Sequence, residues 1–206
     1  MTRLAIALSV VLMITSPVVA QNLLVNPGFD NPDLLTDWTC TSGDGLASWS
    51  TEDQSGSPDS GSMQHDVDGA ANNAKIWCTQ CVPVTELASY VASAWHYWPD
   101  DPDVTQVGST RLSVYYYSDI GCTLFIEVGA NSTGTHSLLD TWYHLETDES
   151  IAPTGAMAAL VYFITWQNFT GQPVRARLDE LDFSTTILFR DGFETGGTGA
   201  WSSTSP

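Results

Sequence analysis

The sequence predicts an all-β fold: a sandwich of two antiparallel sheets built from about nine strands. Three observations predict it. No stretch sustains the apolar period of 3.6 that a half-buried helix requires. Apolar residues instead alternate with polar ones, or form short runs of strand length. Clusters of Gly, Asn, Asp, Ser and Pro separate these runs at a spacing typical of sandwiches. At 206 residues the chain is long enough to bury a core between two sheets.

Residues 1–20 are set apart from the fold. Arg3 supplies a basic start, Leu4 to Ile14 is an apolar run, and Val18-Val19-Ala20 is a small-residue cleavage site before Gln21. This is the pattern of a secretory signal peptide. The globular domain then covers residues 21–185, and a C-terminal appendage covers 186–206. No later apolar run is long enough to span a bilayer, since Ala156 to Trp166 has only strand length.

The candidate strands follow in chain order. Leu46–Ser50 and Ser62–Val67 flank a breaker at Asp53–Gly61. Lys75–Val84 follows the Asp68–Asn73 breaker. Ser89–Trp98 alternates cleanly, with Tyr90, Ala92, Ala94 and His96 on one face and Val91, Ser93, Trp95 and Tyr97 on the other. After Pro99–Gly108, Thr110–Ser118 splits into Leu112, Val114 and Tyr116 against Ser113, Tyr115 and Tyr117. Thr123–Val128 comes next, then a breaker at Gly129–Thr135, then Trp142–Thr147. Ala156–Trp166 follows Ala152–Gly155, and Val174–Ser184 follows Asn168–Pro173. In this last strand the apolar set changes parity, from Val174, Ala176 and Leu178 to Leu181 and Phe183. Strict alternation forbids that, so a bulge is predicted at Asp179-Glu180. Two carboxylates at an irregular strand position also offer a cation site.

Charge excludes several functions. The chain has 24 Asp and Glu against 6 Lys and Arg, for a net charge of −18. That rules out a phosphate-tracking nucleic-acid binder and a domain docking on anionic lipid. With 43% hydrophobic residues the chain is too apolar for a disordered acidic tail. The cysteines are Cys40, Cys78, Cys81 and Cys122. An even number in an exported chain points to two disulfides, with three connectivities open. A zinc site is disfavoured, because only Cys78 and Cys81 have ligand spacing. Thioredoxin-like chemistry is disfavoured because Val82-Pro83-Val84, not a helix, follows the pair.

Several short motifs recur in an ordered series. Asn22-Leu23-Leu24-Val25-Asn26-Pro27-Gly28-Phe29-Asp30 is followed by Asp37-Trp38. Then come Ser60-Gly61-Ser62-Met63, Pro83-Val84-Thr85 leading to Tyr90-Val91-Ala92-Ser93-Ala94-Trp95, Thr141-Trp142-Tyr143, and Leu178-Asp179-Glu180-Leu181. Over roughly residues 22–185 this series resembles carbohydrate-binding modules of the family 4/9 type. Glu86-Leu87-Ala88 stands where that family has a turn glycine, and the cysteines are additions to its pattern. The resemblance implies a galactose-binding-like jelly roll. It also implies a structural calcium held through Asp30 and Asp179, with Gly28 of the Gly-Phe-Asp motif in the set. Through it, the segments of Cys81 and Cys122 become sheet neighbours, which favours Cys81–Cys122 and leaves Cys40–Cys78. After residue 185, Asp191-Gly192-Phe193-Glu194-Thr195-Gly196 running to Ala200-Trp201-Ser202 resembles a motif at the ends of exported Gram-negative proteins.

The resemblance places the Tyr90 set inward and turns Trp95 and Tyr97 toward the concave sheet. With Tyr115 and Tyr117 on the same face, these rings would form a platform on which sugar C–H faces stack. Arg175 and Arg177 share a parity, and they are read either as partners of structural carboxylates or as contacts for an acidic or strongly hydroxylated glycan. No catalytic constellation stands out. There is no GxSxG elbow, the histidines form no metal pattern, and Glu180 to Thr185 lacks the final Glu of laminarinase-type hydrolases. The expected function is therefore a secreted, non-catalytic carbohydrate-binding domain. The alternatives are a structural or adhesive surface module without a glycan site and, below it, a small glycan hydrolase.

Overall fold

The computed structural model describes residues 21–186, apart from 33, 42, 70–72, 105–107, 136–138, 169–170 and 172. The predicted signal peptide and, save Thr186, the predicted appendage lie outside the described residues. A four-residue helix α1 (Leu34–Asp37) precedes strands β1 (Thr39–Thr41), β2 (Gly45–Ser50), β3 (Ser62–Val67) and β4 (Lys75–Pro83). Then follow β5 (Ser89–Tyr97), β6 (Gly108–Tyr117), β7 (Phe125–Thr135), β8 (Trp142–Glu146), β9 (Ser150–Ile151), β10 (Ala158–Gln167) and β11 (Val174–Thr185). All pairings are antiparallel. One sheet has the order β1-β4-β10-β6-β7, and the other β2-β3-β11-β5-β8 with β9 on β5. Among the described residues no helix is long and apolar enough to cross a membrane.

The two strands beyond the nine expected are β1 and β9, of 3 and 2 residues, too short for a period to show. One expected breaker is also corrected. Gly129–Thr135 is the second half of β7 and pairs with β6 from Val114 back to Ser109. Its glycines are there for close packing. A Cβ on Gly129 would lie 2.5 Å from the Tyr116 ring, and one on Gly134 would lie 2.5 Å from His96.

The alternation read from the sequence sets the core. Tyr90, Ala92, Ala94, Met63, Leu178 and Phe183 of one sheet pack against Leu112, Val114, Tyr116, Val161 and Phe163 of the other. Tyr90 and Phe183 stack at 5.1 Å. The bulge falls where parity demands it: the β11–β5 register shifts between Asp179 and Asp182, and Glu180 takes a φ of 47°. The N-terminal segment is tied to the same strand. Leu23 N donates to Phe183 O at 2.8 Å, and Leu181 N to Pro27 O at 3.0 Å. Asn22 Nδ2 donates to Leu181 O at 2.7 Å, while its Oδ1 accepts from Phe183 N at 3.0 Å.

All four cysteines are paired, as Cys40–Cys78 and Cys81–Cys122. The first joins residues directly opposite each other on β1 and β4. The second has the implied pairing by a different route. β4 and β6 are not neighbours, because β10 lies between them. The bond therefore bridges past β10, from β4 to the β6–β7 turn.

Two histidines point into the core. His65 Nδ1 lies 3.1 Å from Thr165 Oγ1, and its Nε2 lies 3.3 Å from Cys78 Sγ. His96 Nδ1 lies 3.1 Å from Thr110 Oγ1. Burial lowers the pKa of His65 to about 3 and of His96 to about 4. Both folded values lie below the unfolded one near 6.5, so the unfolded chain binds the extra protons. Stability from these residues is therefore present above pH ~6.5 and is lost as pH falls, by roughly 2 kcal/mol for each by pH 5. By NMR, both imidazoles are expected to remain neutral through pH 5. Titration of either near pH 6.5 in the folded protein would contradict the assignment.

Candidate functional site

The four rings expected on one platform occupy two opposite outer faces. Trp95 and Tyr97 lie on β5 and Tyr115 and Tyr117 on β6, and these strands belong to different sheets. The inward sets of both strands meet in the core, so the outward sets point away from each other. None of the four is fully buried.

The outer face of the five-stranded sheet gathers more rings than the sequence indicated. Trp77 on β4 lies 6.4 Å from Tyr162 on β10. Tyr162 meets Tyr115 edge-on at 5.7 Å. Tyr115 lies 6.3 Å from Phe125, and Phe125 lies 5.8 Å from Tyr117. The five rings form one continuous chain across β4, β10, β6 and β7. Phe125 is 55% exposed, so the chain opens to solvent at that end. Burial and the neighbouring Tyr115 hold the Tyr162 hydroxyl above its ordinary pKa, while Arg111 pulls it down. Trp77, Tyr162 and Phe125 were missed because their strands are far apart in sequence. The one available signal was alternation, which sets Trp77 between the buried Ile76 and Cys78 and Tyr162 between the buried Val161 and Phe163.

Beyond Trp77 the chain of rings ends in a cleft of about 220 Å³ lined by Asn73, Lys75, Arg111, Ile164 and Trp166. Lys75 Nζ sits 5.7 Å above Trp77, and Arg111 Cζ 5.7 Å above Trp166. Both are cation–π distances.

The outer face of the six-stranded sheet holds the other four predicted residues. Trp95 lies 5.1 Å from His144, and Tyr97 5.1 Å from Trp142. Arg177 Cζ stands 5.5 Å above Tyr97, and its Nε donates to Gln64 Oε1 at 3.1 Å. The Tyr97 hydroxyl donates to Asp140 Oδ1 at 2.8 Å, and burial together with that carboxylate pushes its pKa up to about 12. Arg175 is held in ion pairs with Asp66 and Asp101, which gives it a structural part.

The residues of the implied calcium site differ in exposure. Asp179 is fully buried. It accepts hydrogen bonds from Gln54 N and Glu180 N, both at 2.8 Å. Burial pushes its pKa up to about 7; the two amides lower it, and the charges of Asp53 and Glu180 raise it. Ser60 gives its hydroxyl proton to the Gly28 carbonyl at 2.9 Å. Asp53 Oδ2 is buried with no hydrogen-bond partner among the described residues. Asp30 is exposed, and it shares the surroundings of Gly28 with the Glu180 carboxylate. Among the described residues no group of three or more His, Cys, Asp or Glu side chains is arranged to hold a metal ion. A buried, unpartnered carboxylate oxygen that acts electrostatically on a second buried carboxyl nevertheless suits a hard cation.

No family model matches this sequence, and no curated protein matches it. Solved structures share its fold. The enzymatically active domain of tailspike protein 4 of bacteriophage CBA120 matches 80% of this chain at 14% identity and a TM-score of 0.57, and this chain spans only 21% of that one. A family 61 carbohydrate-binding module solved with β-1,4-galactotriose matches 81% of this chain and 99% of its own, at 12% identity and a TM-score of 0.56. A family 4 carbohydrate-binding module matches 79% of this chain and 99% of its own, at 13% identity and a TM-score of 0.50. The chain has the β-sandwich fold of solved carbohydrate-binding modules, and at these identities the likeness is one of fold.

Proposed function

We propose that this protein is an exported, non-catalytic carbohydrate-binding domain, and that its site is the chain of rings on the outer face of the five-stranded sheet. The observation that carries the reading is the continuity of Trp77, Tyr162, Tyr115, Phe125 and Tyr117 on a surface open to solvent. Sugar rings present C–H faces that stack on such rings, and flanking polar groups take the hydroxyls. The disulfides support an extracytoplasmic setting. The fold shared with a module solved with β-1,4-galactotriose supports a glycan ligand. Asp179, Glu180 and Asp182, which would raise a hydrolase reading, lie on β11 in the other sheet.

Binding to a glycan array, followed by titration, tests the reading. Trp77→Ala and Tyr115→Ala are expected to weaken glycan affinity about tenfold or more, with small changes in melting temperature. Trp95→Ala and Trp142→Ala should leave that affinity in place. The reverse result would move the site to the six-stranded sheet, where Trp95, Tyr97, Trp142 and Arg177 are the alternative surface. Absence of binding to every glycan would leave the adhesive or structural module standing.

We also propose a structural calcium held by Asp179 and Asp53 together with oxygens of the Gly28 loop, Asp30 lying on its exposed side. The folded pKa of Asp179 is raised, so its contribution to stability is present below the unfolded value near 3.8 and is lost as pH rises through about 7. A bound cation would offset that loss. Calcium is therefore expected to raise the melting temperature at pH 8, and a chelator to lower it. Asp179→Asn should remove this response to calcium and chelator. A native melt indifferent to calcium and chelator would reject the metal.

A further inference from the structure

The basic residues among the described part of the chain are Lys75, Arg111, Arg175 and Arg177. In a protein with 24 acidic side chains, pairing with a carboxylate is the ordinary fate of a cation. Arg175 follows that course, with Asp66 and Asp101. Lys75 and Arg111 do not, and neither has an ion pair among the described residues. They lie instead over Trp77 and Trp166, at 5.7 Å each, and line the same cleft at the end of the ring chain. No carboxylate is among the residues lining that cleft. Arg111 Nε is buried there and has no hydrogen-bond partner among the described residues.

Register ties the cleft to the rings. Ile164 faces Trp77 on one side and Arg111 on the other, so only one strand separates the strand of Arg111 from that of the first ring. Arg111 also acts electrostatically on Tyr162, the second ring. Arg111 is only part-buried and Lys75 is exposed, so the N–H groups that they turn to the cleft are matched by a planar or tetrahedral oxyanion that enters from solvent. Neutral hydroxyls would satisfy these donors but leave both charges uncompensated.

We propose that the Lys75–Arg111 cleft binds the anionic substituent of an acidic sugar, a uronate carboxylate or an ester sulfate, while neighbouring residues of the same glycan stack on the ring chain. This rests on the carbohydrate reading of that face and adds the ligand class to it. The net charge of −18 repels polyanions at long range. Binding of an acidic glycan would therefore have to come from this local pair of cations rather than from general attraction.

The test uses the purified protein in affinity electrophoresis and calorimetry, with charged and neutral probes on the same sugar backbone. These are polygalacturonate against its fully methyl-esterified form, and dextran sulfate against dextran, with β-1,4-galactan as a further neutral glycan. At least one charged probe is expected to bind about tenfold or more tighter than its neutral partner. Arg111→Gln should erase that preference, and Lys75→Gln, at an exposed position safe for folding, should reduce it. Tyr115→Ala should weaken binding whatever the charge of the probe. The two pairs of probes separate a uronate from a sulfate. Neutral and charged probes bound equally, or a charge preference that survives both cleft substitutions, would overturn the acidic-sugar assignment and leave carbohydrate binding intact. Failure to bind any of the probes would overturn the acidic-sugar assignment, and failure on the wider glycan array would remove the carbohydrate reading as well.

Discussion

The last strand of the domain, β11, lies in the middle of its sheet, hydrogen-bonded to β3 on one side and to β5 on the other. The N-terminal segment folds back onto it through Asn22, Leu23 and Pro27. The two halves of the six-stranded sheet are therefore joined only through the last strand of the domain. The bulge at Asp179–Glu180 lets this strand serve the core along its whole length. Val174, Ala176 and Leu178 face inward before it, and Leu181 and Phe183 face inward after it. Without the extra residue, one half of the strand would turn its apolar side chains to water. The same bulge draws Asp179 out of solvent and leaves a carboxyl that is costly to ionise.

Closing two sheets on one core divides the aromatic residues into separate populations. Tyr90, Tyr116, Phe163 and Phe183 fill the interior, together with Phe29 and Trp38. Trp98 is buried in a second, smaller cluster, while Trp77, Tyr115, Tyr117, Phe125 and Tyr162 lie on one outer face and Trp95, Tyr97 and Trp142 on the other. A strand with strict alternation has to send every second ring outward, and neighbouring strands then decide which rings meet. β10 between β4 and β6 brings Tyr162 between Trp77 and Tyr115. The β6–β7 hairpin adds Phe125, and the Cys81–Cys122 bond ties the hairpin turn back to β4. The ring chain is thus held by sheet hydrogen bonds and a covalent staple, which favours a preformed surface over one assembled on binding.

The few cations follow the same logic. On a strongly acidic surface an outward-facing Lys or Arg in a strand finds whatever the side chains around it supply. For Arg175 these are carboxylates, and for Lys75, Arg111 and Arg177 they are rings. A cation over a ring keeps hydrogen-bonding capacity that a salt bridge would consume. The chemistry left open to a ligand therefore differs across the surface of one domain.

Much of the fold was legible in the sequence because its determinants are local. Alternation in Ser89–Tyr97, the breakers between strands and the parity change at Asp179–Glu180 all act over a few residues. They yield strand positions, the inward set and the bulge. The strand through Gly129–Thr135 was not legible, because its glycines are chosen by the Tyr116 and His96 side chains that pack against them. The candidate site was legible only in part. Alternation turns Tyr115 and Tyr117 outward, but Trp77, Tyr162 and Phe125 join them only once strand order is known, and Trp95 and Tyr97 lie on the opposite face. Asp53 came beside Asp179 in the same way, across more than a hundred residues of chain. Sequence by itself determined which side of each strand is buried, because burial follows a period of two along the chain. The tertiary structure alone decided which outward side chains share a surface, because that depends on hydrogen bonding between strands far apart in sequence.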